Sequence, residues 1–412
     1  MAKILPFRAV RPTRDKVSLV ASRSYQSYTQ AEREARLDYN PYSFLHIVNP
    51  GYKYDKEISG KERYQLVKNR YLEFKEDGVF VQDEKPSFYI YRIVDRDNQV
   101  FNGIIASASV DDYKNNVIKR HEDTIATRES VFKDYLKTVG FNAEPVLLTY
   151  PDNAIVSGIV QQIQSHRAEF EFTTTYRDTH YLWQISEERD IKTITKAFSD
   201  MNTLYIADGH HRSSSSALLC DDLKSENQNH SGDETYNSFM SFLIPESELR
   251  IHEFYRIIKD LHGLSKEEFL IKLDTMYRIE NRGAIPYKPS KPHHFSMYLD
   301  GEFYSLYLRK TNYKFKTSLD RLDAQLLFET ILKPILGIDD LRNNSRIDYL
   351  SGKKDIIKLI NKIDGGEFKV GFGMIPASVE QMKAIADEGL KMPPKSTYVE
   401  PKLRSGVTIY EF

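Results

Sequence analysis

Residues 204–219 read LYIADGHHRSSSSALL, and no other stretch concentrates so many reactive side-chain types. An apolar run stops at Asp208 and Gly209, then His210, His211 and Arg212 precede four serines and a second apolar run. TLYIA has the β-branched and aromatic content of a short buried strand, whereas Ser216, Leu219, Cys220 and Leu223 fall at helical spacing. DGHHR therefore occupies a strand-to-helix turn, where unpartnered backbone N–H groups and the helix dipole favour an anion such as phosphate. Gly209 permits close backbone approach, Arg212 offers a fork to phosphate oxygens, and Ser213 can donate from the helix start. Asp208 suits a divalent metal or a substrate hydroxyl. Of the adjacent histidines, one can face the ligand while the other packs or donates to the transferred group. The same string also fits an ordinary Asp-Gly turn with Asp208 as a helix cap.

A second polar cluster lies in DDYKNNVIKRHEDTIATRES, residues 111–130. Helical spacing aligns Tyr113, Val117 and His121, with Lys119, Arg120, Glu122 and Arg128 nearby. Glu122 is a candidate general base, and a solvated charged helix explains the same residues. The ending KMPPKSTYVEPKLRSGVTIYEF carries Lys391, Lys395, Lys402 and Arg404 against Glu400, which suits a phosphate-rich ligand or a rigid loop with solvated lysines.

The elements that must position these groups alternate short strands and helices. PSFYIYRI and FNGIIASASV flank a polar turn as a hairpin, and HHFSMYLDGEFYSLYLR repeats the pattern around Asp300-Gly301, so the sheets are expected to be mixed. Helical periodicity marks AEREARLDYN, DRLDAQLLFETILKPIL and RESVFKDYLKTVG, the last with Val131, Phe132, Tyr135 and Leu136 on one face. Residues 222–236 read as an exposed loop. The expected division is an N-terminal α/β unit over 1–150, a central unit over 151–260 carrying DGHHR, and a C-terminal α/β unit over 261–412.

Composition narrows the function classes. With 412 residues and 40% hydrophobic side chains the chain is globular. Lys plus Arg number 58 against 59 Asp plus Glu, so a nucleic-acid role would need a local basic patch. Cys220 stands alone, which excludes an intramolecular disulfide and a multi-cysteine metal site and fits a reducing compartment. No apolar run has the length of a membrane span, and a cytoplasmic location is expected. GxxxxGK[ST] is absent and no GxGxxG follows a strand, which removes the P-loop and dinucleotide-binding readings.

Four separated motifs, PFRAVRP, DYKNNVIKRHEDT, ADGHHR and MPPKSTYVEPKLRSG, resemble in that order the hallmarks of the domain family of unknown function numbered 1015, over essentially the full length. Some members of that family are diphosphate-dependent serine kinases, and DGHHR is also similar to the turn of free serine kinases built on the ParB/sulfiredoxin fold. The resemblance implies an α/β (α+β) protein with a ParB/sulfiredoxin-like core around DGHHR. It implies transfer of phosphate from pyrophosphate to the serine hydroxyl with Mg²⁺, giving O-phosphoserine. Asp208, Glu122 and His211 would be catalytic, with Asp208 also at the metal. Gly209, His210, Arg212, Ser213, Lys119, His121, Lys395, Ser396 and Arg404 would hold phosphate. Its small-molecule partners would be serine and pyrophosphate, with neither nucleic acid nor membrane. An ADP- or ATP-dependent serine kinase and a non-catalytic ParB-like nucleotide- or nucleic-acid-binding protein are the alternatives. One departure stands out: where the family shows a PYD-like sequence, this chain has Ser24-Tyr25-Gln26, so that segment lacks an acid for a metal.

Overall fold

The computed structural model describes residues 1–353 and 356–412, which form two compact units. The first holds residues 1–119, 124–249 and 401–412; the second holds 120–123 and 250–400. The expected boundaries at 150 and 260 do not coincide with these units: strands on both sides of residue 150, up to Pro245, share one sheet in the first unit, residues 250–260 lie in the second, and 401–412 of the expected C-terminal unit belong to the first, because strand pairing ignores sequence distance.

Among the described residues of the first unit, nine strands build a mixed sheet. Its spatial order runs Ile118–Lys119, Leu204–Asp208, Val146–Tyr150, Ser238–Pro245, Val100–Ser109, Phe88–Val94, Thr179–Ile185 and Phe170–Thr173, and Ile4–Leu5 pairs with Val100–Ser109. Two neighbouring pairs are parallel, Ile118–Lys119 with Leu204–Asp208 and Val146–Tyr150 with Ser238–Pro245; the remaining pairs are antiparallel. The mixed α/β architecture read from the two hairpins is thus present. Ile104, Leu148, Ile206 and Leu243 anchor the core, packed with Val156, Ile194 and Phe198 from helices Ala154–Gln164 and Glu188–Ser199. A further cluster joins Val10, Phe44, Tyr71 and Phe141 to Ile409, tying the two chain ends together. Val10 and Ile409 exchange backbone hydrogen bonds at 3.0 and 2.8 Å.

The second unit carries a wholly antiparallel sheet in the order Tyr277–Gly283, Glu302–Leu308, His294–Leu299, Val370–Gly373, Phe254–Ile258 and Ile347–Ser351. Its central hairpin turns at Asp300 and Gly301, with φ of 50° and 76°, the positive values that tight hairpin turns require. DRLDAQLLFETILKPIL is less regular than its periodicity suggests: an α-helical turn at Asp323–Leu327 widens into π-type bonding at Phe328–Leu332.

Three local expectations change. Residues 111–130 are not one helix. Val110–Lys114 is a short helix, Asn116 turns the chain with φ 59°, and Ile118–Lys119 pairs as a strand with Leu204–Tyr205. Tyr113, Val117 and His121 therefore share no helical face, because tertiary pairing overrides the helical spacing. In helix Ala126–Val139, Leu136 is buried but Val131 is exposed, so the apolar stripe is rotated from the expected one. The expected loop at 222–236 begins later, since the helix that follows DGHHR runs from His210 to Glu226.

That helix explains the serine run. Ser213, Ser214, Ser215 and Ser216 are all buried. Ser213, Ser214 and Ser216 donate to carbonyls of their own helix, those of His210, His211 and Arg212, whereas Ser215 donates to the Glu129 carbonyl of helix Ala126–Val139 at 3.1 Å. Small side chains let the two helices approach, and each hydroxyl is satisfied locally. Ser215→Leu should overpack this seam and lower stability by about 1–3 kcal/mol, measurable as a reduced Tm.

Candidate phosphate-binding turn

Asp208 ends its strand at an irregularity. Ile206 pairs with Leu148 but Asp208 pairs with Leu147, so Ala207 is an extra residue that re-aims the following side chain. Gly209 then takes φ 99°, a left-handed conformation that a side chain disfavours. A Cβ there would also lie 3.3 Å from Val146 Cα and 3.2 Å from Arg212 Nε. The backbone conformation calls for glycine, and the tight approach of the neighbouring strand adds to that preference.

The C-terminal segment of the same unit completes the turn. Lys402 Nζ donates to Asp208 Oδ2 at 2.9 Å, and the Asp208 side chain remains 41% exposed. Desolvation would raise the Asp208 pKa, but the charges of Lys402, Arg212 and His210 outweigh it and hold the carboxyl at about 2. Asp208 is therefore an ionised, solvent-reachable carboxylate beside two permanent cations. Arg212 Nη1 donates to the Pro145 carbonyl at 2.7 Å and lies 3.8 Å from Glu144 Oε2. Glu144 in turn accepts from Ser405 Oγ at 2.7 Å. The guanidinium is thus fixed in position at the first turn of the helix. Lys402→Met should raise the Asp208 pKa from about 2, because it removes the principal attraction; carboxyl NMR titration would follow it.

The remaining sequence candidates divide between the units. His210 is buried and His211 half-buried at the helix start, while the Ser213 side chain points into its own helix. Lys119 lies beside Tyr205 on the parallel neighbour of the Asp208 strand. Arg404 is buried and salt-bridged to Asp178 Oδ2 at 2.8 Å, so part of its fork is already engaged. His121 and Glu122 fall in the second unit, where the His121 carbonyl accepts from Met392 N at 2.8 Å and Lys391 Nζ donates to the Arg120 carbonyl at 3.0 Å. The KRHE and MPP motifs thus meet there. Lys395 is exposed with φ 57°, and Ser396 is buried with its hydroxyl donating to the Pro393 carbonyl at 2.6 Å. Sequence reasoning placed Lys402 only as a basic residue of the ending and missed Glu144; the sole sequence signal for Lys402 was its place within the fourth motif.

Among the described residues, no three His, Cys, Asp or Glu side chains are grouped to hold a metal ion. A Mg²⁺ ion at this turn would fit only with Asp208 as one ligand and donor phosphate oxygens as others, an arrangement in which Mg²⁺ commonly binds.

Residues 4–325 match the family described as protein of unknown function, DUF1015. The chain belongs to this family. No curated protein matches the sequence. Among solved structures, a free serine kinase in complex with AMP aligns at 12% identity and a TM-score of 0.33, covering 74% of this chain and 91% of that one. SbnI with a C-terminal truncation, from Staphylococcus aureus, aligns at 13% identity and a TM-score of 0.40, covering 74% and 85%. A conserved hypothetical protein from Pyrococcus furiosus aligns at 10% and 0.33, covering 74% and 93%. Among the described residues, no helix is long and apolar enough to cross a membrane.

Proposed function

We propose that this member of the family transfers a phosphoryl group from pyrophosphate to the hydroxyl of serine. The observation that carries the reading is the DGHHR turn, where an ionised Asp208 lies between Lys402 and Arg212 at the start of a helix. Cations beside a helix N-terminus suit a polyanion. A carboxylate among them suits a site whose phosphate arrives with a cation or whose second substrate brings a hydroxyl. The four motifs that resemble serine-phosphorylating relatives direct the choice of acceptor.

In this reading a carboxylate removes the serine hydroxyl proton, the oxygen attacks the terminal phosphorus, the bridging P–O bond breaks, and orthophosphate leaves. His211, at the same helix start, is the donor to the transferred group in this reading. Arg212 and Lys402 offset the charge of the donor, and Asp208 orients the acceptor or holds the metal. Mg²⁺ bound with the donor would supply further neutralisation of phosphate charge. Most of the rate would come from positioning and electrostatics. Pyrophosphate needs no adenine pocket, in keeping with the missing nucleotide motifs.

The test is the purified full chain with L-serine, pyrophosphate and Mg²⁺, assayed for O-phosphoserine. Product with pyrophosphate is the expected result. Product with ADP or ATP alone would replace the donor, and no product with any of the three would overturn the reading.

A further inference from the structure

Phosphoryl transfer to an alcohol needs a proton acceptor within hydrogen-bond reach of the attacking hydroxyl, beside the group that holds the donor. In the first unit two carboxylates flank Arg212: Asp208, whose carboxyl feels the Arg212 charge, and Glu144, whose Oε2 lies 3.8 Å from Arg212 Nη1. They differ in what already occupies them. Asp208 Oδ2 accepts from the Lys402 ammonium at 2.9 Å, and a carboxyl held at about 2 is a weak proton acceptor. Glu144 is anchored through one oxygen only. Its Oε1 accepts from Ser405 Oγ at 2.7 Å, whereas Oε2, at 3.8 Å from Nη1, stands beyond hydrogen-bond distance with its lone pairs unused.

The surroundings hold that carboxylate in place and leave it reachable. The Glu144 backbone N–H donates to Asn142 Oδ1 at 2.9 Å, and Gly406 N donates to the Ala143 carbonyl at 3.4 Å, so the loop before strand Val146–Tyr150 is pinned from both sides. The Glu144 side chain is 38% exposed. Arg212 Nη1 is committed to the Pro145 carbonyl at 2.7 Å, which leaves Nε and Nη2 for a phosphate oxygen. A donor on that fork would have the free Glu144 oxygen next to it.

We propose that Glu144, fixed by Ser405, is the general base that takes the proton of the acceptor hydroxyl. The inference rests on the phosphoryl-transfer reading above and assigns its carboxylate. The serine O–H bond breaks with its proton passing to Glu144 Oε2, and the oxygen electron pair forms the new bond to the terminal phosphorus. The bridging P–O bond breaks with its electrons staying on the departing orthophosphate. That orthophosphate then takes the proton from Glu144, which returns to the carboxylate.

The experiment measures kcat and the pyrophosphate KM of the full chain with L-serine and Mg²⁺, for the wild type and for Glu144→Gln, Glu144→Ala, Ser405→Ala and Glu122→Gln. Glu144→Gln should lose about 100-fold or more in kcat with KM within roughly threefold of the wild type and an unchanged Tm. Added formate and acetate should restore turnover to Glu144→Ala, acetate more than formate because it is the stronger base, and chloride should not. Ser405→Ala keeps the carboxylate but frees it, and should lower kcat by roughly 10-fold; this variant decides the matter if neither Glu144 variant folds. Wild-type kcat in Glu144→Gln, a loss confined to KM, rescue that ignores basicity, or turnover lost in Glu122→Gln but kept in Glu144→Gln would overturn the assignment alone. A wild type that makes no phosphoserine from any phosphate donor would overturn the transfer reading and this assignment with it.

Discussion

Asp208→Asn should reduce phosphoserine formation by about 100-fold or more while leaving the fold intact, the scale expected when one preorganised electrostatic group is removed. The substitution keeps size and shape but deletes the charge that Lys402 and Arg212 surround. Structural loss should be small, because Asp208 and Lys402 are 41% and 48% exposed and such ion pairs contribute about 0–1 kcal/mol. Unchanged circular dichroism and Tm with lost turnover would separate chemistry from folding. Wild-type turnover in Asp208→Asn would remove the turn from the mechanism. The pH profile adds a second check. With its carboxyl held at about 2, Asp208 stays ionised throughout any practical assay range, so an acidic limb above pH 4 must belong to another group.

His180 should make the first unit acid-sensitive. Burial is the main cause of its depression from 6.5 to about 3, with the Arg404 charge adding to it. The ring stacks on Phe172 at 4.9 Å and its Nδ1 lies 2.8 Å from the Tyr91 hydroxyl. A histidine with a depressed folded pKa stays neutral in the native state while the unfolded chain takes up a proton below about 6.5. Stability is therefore full above that pH and is lost as pH falls toward 3, by about 2 kcal/mol at pH 5. His180→Phe should be less stable at pH 7, since Tyr91 loses its partner, yet lose less on going to pH 5. Chemical denaturation at both pH values measures the difference, and equal pH sensitivity in the two proteins would sink the assignment.

The local chemistry of DGHHR was legible because it depends on neighbours in sequence. Gly209 in a left-handed turn, the strand before it and the helix after it follow from residue types a few positions apart. Both hairpins were legible for the same reason. Residues 111–130 were not, since Ile118 and Lys119 form a strand only because Leu204 and Tyr205 lie alongside. The part of the serine run in packing was not legible either. The sequence reads Ser213 as a hydrogen-bond donor to phosphate; in the structure its hydroxyl donates to the His210 carbonyl of its own helix, and it is Ser215 that reaches helix Ala126–Val139.

The sequence alone determined the mixed α/β class, the family motifs and the strand-to-helix turn at DGHHR, because these rest on local periodicity, on backbone constraints and on the identity of the motif residues. The tertiary structure decided which charges meet. It brought Lys402 to Asp208 across 194 positions and Ser405 to Glu144 across 261. It also buried Glu253 and Asp323 in one cavity. Coulomb attraction and desolvation act through distance in space and burial, and neither quantity is written in the order of residues along a chain.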